Sequence, residues 1–265
     1  ARGSSPARRP EAHMETSRFY DELADYYHLI YADWEQSIAR QCDALDSIIR
    51  QRLVAGAKSL LDTSCGIGTQ AIGLSQRGYA VTGSDISARA VERARREAEK
   101  RNLNITFSVA DVRQCYEAHA NQFDVVLSAD NSIPHLLNDR DIRTAFEAMF
   151  RCTRPGGLVV ITVRDYESED RASVQLHPYG VRQTPEGRVI VFQLWEFEDN
   201  ANFYDITMYF VIEPSVGQRR VTASRSRYYA VSIMKLCKLL QEAGYISVER
   251  IDNRFFQPVI AGRKA

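Results

Sequence analysis

Between Lys58 and Val163 short apolar runs alternate with amphipathic stretches, and this alternation constrains the fold more than any other feature of the sequence. Lys58–Asp62 (KSLLD), Tyr79–Asp85 (YAVTGSD), Ile105–Ala110, Phe123–Ala129 (FDVVLSA) and Leu158–Val163 (LVVITV) have the length and side chains of buried strands. Gly68–Arg77, closed by Gly78, reads as a helix, as do the charged run Ala88–Arg101 and Arg140–Arg151. The last carries Ile142, Phe146, Met149 and Phe150 on one face. Apolar strands separated by helices imply an α/β fold, with a mostly parallel sheet covered on both faces.

The flanks read differently. Residues 1–13, ARGSSPARRPEAH, are polar and rich in Pro and Arg, and are expected to be a disordered leader before Met14. Residues 14–57 are expected to form a helical lid. Aromatic and acidic residues alternate from Ser17 to Trp34, a helix opens near Asp33, and Ile38, Cys42, Leu45, Ile49 and Leu53 fall at helical spacing, with Gly56 as the stop. After Arg164 the period changes to two. Val189–Phe197, Phe203–Glu213 and Arg219–Tyr229, joined by EDNAN and PSVGQ, predict a three-stranded antiparallel insertion within 165–229. A helix through Ile233, Leu236, Cys237 and Leu240, ended by Gly244, and two strands, Ile246–Ile251 and Phe256–Ala261, return the chain to a core made of 58–164 and 230–265.

Composition bounds the partners. Lys+Arg 34 against Asp+Glu 34 gives no basic excess, which argues against nucleic acid. No run approaches the length of a helical membrane span. Cys42, Cys65, Cys115, Cys152 and Cys237 are odd in number and form no CxxC pair, so neither a zinc site nor a disulfide framework is expected. Free thiols fit a reducing cytoplasm. The sequence is compatible with a homo-oligomer.

The strongest local signal is Leu60-Leu61-Asp62-Thr63-Ser64-Cys65-Gly66-Ile67-Gly68-Thr69, which follows a strand and opens a helix. Its glycines let backbone approach a ligand, and the helix start offers free N–H groups. Gly66-Ile67-Gly68-Thr69-Gln70-Ala71 also fits a dinucleotide fingerprint. The acids decide between the two. Asp62 at the end of the first strand would repel a pyrophosphate but suits a ligand carrying a sulfonium and an ammonium. Asp85 ends the second strand, where a carboxylate takes ribose hydroxyls. Asp111 ends the third, within reach of an adenine amine. Taken singly, each acid is equally at home as a helix cap or turn former.

The D-x-x-C-G-x-G loop, the acid after the second strand, Ala110-Asp111-Val112 and Arg154-Pro155-Gly156-Gly157-Leu158 resemble class I S-adenosylmethionine-dependent methyltransferases. The resemblance implies a Rossmann-like sheet of seven strands whose last is antiparallel. It implies S-adenosylmethionine as cofactor, held by Asp62, Cys65, Gly66, Gly68, Asp85, Ile86, Asp111, Val112 and Ala129, and S-adenosylhomocysteine as product. Cys65 is read as packing rather than as a nucleophile. A narrower likeness follows the fourth strand. Asp130-Asn131-Ser132-Ile133-Pro134-His135-Leu136 and Arg154–Tyr166 are similar to stretches of the glycine and glycine/sarcosine N-methyltransferases. That likeness implies that Arg164 grips an amino-acid carboxylate, that Asn131 faces its amine, and that Arg40 meets the cofactor carboxylate. It departs at Asp130, where the group has glycine, and at Thr162-Val163, where it has Asp-His.

Read from the residues alone, Arg164 suits a carboxylate bidentately or pairs with Asp165 or Glu167 at the surface. Asn131 offers an acceptor to an amine or starts an Asx-turn. His135 anchors a loop or serves as a base, while His28, His119 and His177 read as surface residues. Of Tyr20, Tyr26, Tyr27, Tyr31 and Trp34, the first and fourth are the expected site members, their π-faces suited to a sulfonium. The helix around Glu92–Arg101 reads as a solvated face. The expected reaction is methyl transfer to the nitrogen of a small amine or amino acid. The alternatives are another small acceptor such as an amino sugar or natural product, a non-catalytic cofactor-binding protein, and an NAD-dependent dehydrogenase, the last opposed by Asp62.

Overall fold

The computed structural model describes residues 9–53, 57–171, 174–198 and 202–265, with side chains from Met14 onward. Five strands, β1 (Ser59–Asp62), β2 (Ala80–Asp85), β3 (Thr106–Val109), β4 (Phe123–Ser128) and β5 (Thr153–Thr162), pair in parallel. Four more, β6 (Val174–Thr184), β7 (Gly187–Phe197), β8 (Phe203–Pro214) and β9 (Arg220–Tyr229), form a separate antiparallel sheet in that order. The chain then returns through β10 (Ile246–Ile251) and β11 (Val259–Arg263). The main sheet has seven strands in the order β10-β11-β5-β4-β1-β2-β3, and β11 runs antiparallel to both neighbours. The strand–helix alternation implies its mostly parallel character, and the family resemblance its seven strands and antiparallel last member.

The helices are α1 (Arg9–Leu23), α2 (Trp34–Arg52), α3 (Thr69–Gln76), α4 (Ala88–Lys100), α5 (Cys115–His119), α6 (Asp139–Cys152) and α7 (Ile233–Glu242). They cover both faces, as the buried central strands β1 and β4 and the second half of β5 require. β4 is buried at all six positions. One apolar core lies under α2, α3 and α4, with Leu45, Leu60, Val91 and Val125. The other joins α6 and α7 to the antiparallel sheet, with Phe146, Leu236, Tyr204 and Phe210.

Several expectations are corrected. The insertion has four strands, not three. The missing strand is β6, whose Pro178 and Gly180 mark the register shift in its ladder with β7. Pro and Gly inside a run remove strand signal, and here they mark a bulge. Its Val174, Leu176 and Val181 point outward, so the strand lacks a polar outer face. The final strand begins at Val259, three residues later than expected, because Phe256 is exposed and the side chain of Gln257 is spent on Thr162 and Asp130. The short helix α5 was not anticipated. α1 opens at Arg9, inside the stretch read as a leader, while residues 1–8 lie outside the described residues. So do Gly56 and much of EDNAN.

The charged helix α4 is not simply a solvated face. Glu97 is 5% exposed and pairs with Arg93 at 3.0 Å, Lys100 at 3.1 Å and Arg101 at 2.7 Å. Burial opposes its charge, but the three cations prevail and hold its carboxyl down at about 2. Arg93 and Arg101 in turn lie over the ring of Trp34, 5.8 and 5.4 Å from its centre. The inner face of α4 therefore carries the start of α2.

Candidate active site

The glycine loop is stitched between two strands. Thr63 donates through both N and Oγ1 to the carbonyl of Leu127, 2.9 Å each, and the amide of Cys65 donates to Ser84 at 2.9 Å. The amide of Gly66 donates to the carboxylate of Asp85 at 2.9 Å. Gly66 has φ +52° and Gly68 φ +96°, the left-handed region that favours glycine. A Cβ at Gly66 would meet no protein atom within 4 Å, so the space above the loop is open. Gly68 then caps α3.

Three acids stand at the carboxyl ends of the first three strands, as the sequence places them. Asp85 is 8% exposed and accepts from Gly66 and from Ser87, both at 2.9 Å. Burial raises its pKa, and the amide donors counter part of that rise. Asp62 is fully buried. One carboxylate oxygen accepts from the amide of Ser64 at 3.3 Å, and the other has no hydrogen-bond partner. Burial, and then the nearby Asp85, push its pKa up to about 7. A buried carboxylate oxygen without a donor is costly and calls for a cation or a proton. Asp111 caps the 3-10 turn Val112–Gln114 and pairs with Arg113 at 2.7 Å.

These ends open into one cavity. Its floor includes Cys65, Gly66, Asp85, Ile86, Asp111, Val112 and Ala129, and its roof is Tyr20, Tyr27 and Tyr31. The roof is pinned at several points. Asp21 of α1 accepts from Oγ of Ser87 at 2.6 Å and from the amide of Arg89 at 3.0 Å. Trp34 Nε1 donates to Thr69 Oγ1 at 2.9 Å. Arg182, on β6, donates to the carbonyls of Tyr31 at 2.7 Å and Ile30 at 3.2 Å. The antiparallel sheet thus holds down the lid.

His135 closes one wall. Its Nε2 lies 2.9 Å from the hydroxyl of Tyr20, its Nδ1 lies 3.3 Å from Oγ of Ser226, and its ring lies tilted against Tyr228 with centroids 3.9 Å apart. Burial pushes its pKa down to about 3, so the ring is neutral.

The loop after β4 turns sharply. Asp130 and Asn131 have φ +57° and +63°, a conformation open to Asp and Asn. The turn sends the two side chains to different places. Asp130 faces the cavity and accepts from Gln257 Nε2 at 3.2 Å and from the hydroxyl of Tyr31 at 3.4 Å. Asn131 is 3% exposed and turns away from the cavity. Its amide donates to the hydroxyl of Tyr166 at 2.7 Å, and its oxygen accepts the amide of Arg164 at 3.0 Å. The guanidinium of Arg164 lies over Trp195, 4.3 Å from the ring centre, and donates to the hydroxyl of Tyr204 at 3.0 Å. It forms no pair with Asp165, which pairs with Arg250 at 2.6 Å. Among the described residues no cluster of His, Cys, Asp or Glu suits a metal ion, and no helix is long and apolar enough to cross a membrane.

Residues 60–157 match the sequence profile of a methyltransferase domain family. That match covers just over a third of the chain. A glycine/sarcosine N-methyltransferase of Parasynechococcus marenigrum is 27% identical over 165 residues, 62% of this chain and 57% of that protein. The matched region is thus under two thirds of that relative's length. Human glycine N-methyltransferase is 25% identical over 250 residues, 84% of this chain and 80% of that one. In fold, the chain resembles Streptomyces venezuelae DesVI, with TM-score 0.78 and 20% identity over 91% of this chain and 98% of that one.

Most of the residues singled out in the sequence line the cavity: Tyr20, Tyr31, Cys65, Gly66, Asp85, Ile86, Asp111, Val112, Ala129 and His135. Asp62, Gly68, Asn131 and Arg164 are not among its lining residues. Arg40 does not reach it and is exposed on the outer side of α2. The helical spacing of Ile38, Gln41, Cys42 and Leu45, all buried, puts position 40 on the opposite face. Tyr27 and Asp130 also line the cavity, although the sequence favoured Tyr20 and Tyr31 within the aromatic run and marked Asp130 only as a departure from the related group. Tyr26 packs on Phe210, and His177, expected at the surface, is half-buried and stacks on Trp195 at 3.7 Å.

Proposed function

We propose that this methyltransferase moves the methyl group of S-adenosylmethionine onto the nitrogen of a small amine that carries a carboxylate. The observation that carries the cofactor half is the unpartnered oxygen of buried Asp62 beneath a glycine loop with open space above it. Carboxylates at three adjoining strand ends and tyrosine faces overhead favour a ligand of positive charge. In this reading Asp85 orients the ribose, Asp111 and Val112 flank the adenine, and Gly66 keeps its backbone close to the ligand.

The chemistry needs few groups. The bound cofactor supplies an electrophilic methyl on a sulfonium, and the chain supplies position and dryness. Tyr20, Tyr27 and Tyr31 exclude water from above, and burial keeps all three protonated. Neutral His135 orients the hydroxyl of Tyr20. Arg164 receives the acceptor carboxylate from its seat on Trp195.

A second reading rests on the fold. The sugar N-methyltransferase KedS8 of a Streptoalloteichus species superposes with TM-score 0.75 at 19% identity over 100% of this chain and 99% of that one, antiparallel sheet included. An amino sugar would use the same nitrogen chemistry with a bulkier anchor. Titration with S-adenosylmethionine against NAD tests the donor. Release of S-adenosylhomocysteine with glycine, sarcosine, dimethylglycine or amino sugars tests the acceptor. Turnover with amino sugars and none with amino acids would overturn the carboxylate assignment.

A further inference from the structure

A role for Asp130 rests on the amine reading above. Its carboxylate faces the cavity, yet both of its side-chain donors, Gln257 and Tyr31, are neutral. Among the described residues no ion pair engages it. Arg164 lies near enough for its charge to ease the ionisation of Asp130, yet the two are not within ion-pair distance. Arg164 likewise has only hydroxyl and ring partners. A largely desolvated anion and a largely desolvated cation thus stand apart, each without a direct counter-charge. Leaving charges so placed is unfavourable unless something bridges them.

The position of Asp130 is fixed rather than incidental. Its amide donates to Thr162 Oγ1 at 2.8 Å, Thr162 Oγ1 donates to Gln257 Oε1 at 2.9 Å, and Gln257 returns a donor to the Asp130 carboxylate. This closed ring ties the loop to β5 and to the segment before β11. It holds one carboxylate oxygen, leaving the other to Tyr31 and the cavity.

We infer that Asp130 docks the acceptor as an ammonium ion and takes its proton, freeing the nitrogen for methylation and selecting cationic amines. The step balances. An N–H bond of the ammonium breaks and the proton goes to the Asp130 carboxylate. The freed lone pair forms the new N–C bond as the S–C bond breaks, its electron pair staying on sulfur, and the sulfonium becomes a neutral thioether. Asp130 returns its proton to water when product leaves. Burial raises the pKa of Asp130, which narrows its gap to an amine. An amino acid would span the two charges, its ammonium at Asp130 and its carboxylate at Arg164.

The test is Asp130→Asn, which keeps a shape and a backbone conformation that the site accepts. With S-adenosylhomocysteine bound, calorimetry measures the docking of methylammonium and of sarcosine. The variant should bind both at least tenfold more weakly and bind S-adenosylhomocysteine as before. Its kcat/KM deficit with sarcosine should be large at pH 7 and shrink toward pH 10, where the free amine predominates. Unchanged methylammonium docking, or a deficit that is flat with pH, overturns the inference. Wild-type protein that methylates no amine sinks the functional reading instead, and methylammonium docking still decides the role of Asp130.

Discussion

The carboxylate of Asp85 accepts the amide of Gly66 across 2.9 Å, tying the end of β2 to the tip of the glycine loop. The same carboxylate accepts the amide of Ser87. The acid assigned to the ribose therefore also shapes the loop that faces the ligand. Asp85→Ala should cost stability as well as affinity, since a hydrogen bond to a charged group contributes about 1.5–3 kcal/mol. Asp85→Asn keeps the loop acceptor and loses the charge. The alanine variant is expected to lower both Tm and S-adenosylmethionine affinity, and the asparagine variant chiefly the affinity. Calorimetric titration with either variant giving wild-type affinity would remove the ribose assignment.

Arg164 offers a test of the acceptor. Its guanidinium sits over the ring of Trp195 and donates to Tyr204, two contacts that a lysine cannot both reproduce. Arg164→Lys is expected to raise KM for a carboxylate-bearing amine at least tenfold while leaving the Kd for S-adenosylmethionine unchanged. Loss of the ring contact and the hydrogen bond should also lower stability by about 1–3 kcal/mol. Equal losses for amines with and without a carboxylate would show that the side chain is only structural.

His135 should not titrate in the working range. Burial holds its folded pKa near 3, below the ordinary value of about 6.5. The unfolded chain takes up a proton below about pH 6.5 that the folded chain refuses, so stability falls as pH drops from there toward 3. The ring resonances of His135 are expected to stay fixed from pH 8 to 5, and His135→Gln should flatten the acid limb of the Tm curve. A resonance that moves near pH 6.5 would refute the neutral assignment and reopen a role as base.

How much of this was legible in the sequence depends on whether the information is local. The seven-stranded core was, because apolar period and glycine breaks act within one element, and the acids at the strand ends followed from it. Strand β6 was not, because Pro178 and Gly180 interrupt its pattern and only pairing with β7 restores it. The solvent side of Arg40 is legible in the buried 38–41–42–45 spacing, which opposes the position that the family likeness implies. The exchange between Asp130 and Asn131 was not. Sequence gives their order, but two successive left-handed residues decide which one meets the cavity. The likeness to glycine N-methyltransferases pointed to the asparagine, and the backbone presents its neighbour.

Asp62 gives the sharpest pH signature. Its folded pKa of about 7 stands well above the ordinary carboxylate value near 3.9. Between those two values the folded chain keeps a proton that the unfolded chain gives up. Unfolding then releases a proton, so stability declines as pH rises through this window and levels off above pH 7. The penalty at pH 8 is up to about 4 kcal/mol by the size of that shift. Asp62→Asn preserves an acceptor for the amide of Ser64 and cannot ionise. Its Tm should match wild type near pH 4.5 and exceed it increasingly toward pH 8, other groups titrating alike in both. Saturating S-adenosylmethionine should narrow the difference at pH 8, because positive charge on the ligand offsets the penalty in wild type alone. Differential scanning calorimetry at four pH values checks both parts. Parallel Tm curves for the two proteins would mean that the orphaned oxygen already has a partner in solution, and the case for a cationic ligand at that loop would lose its main support.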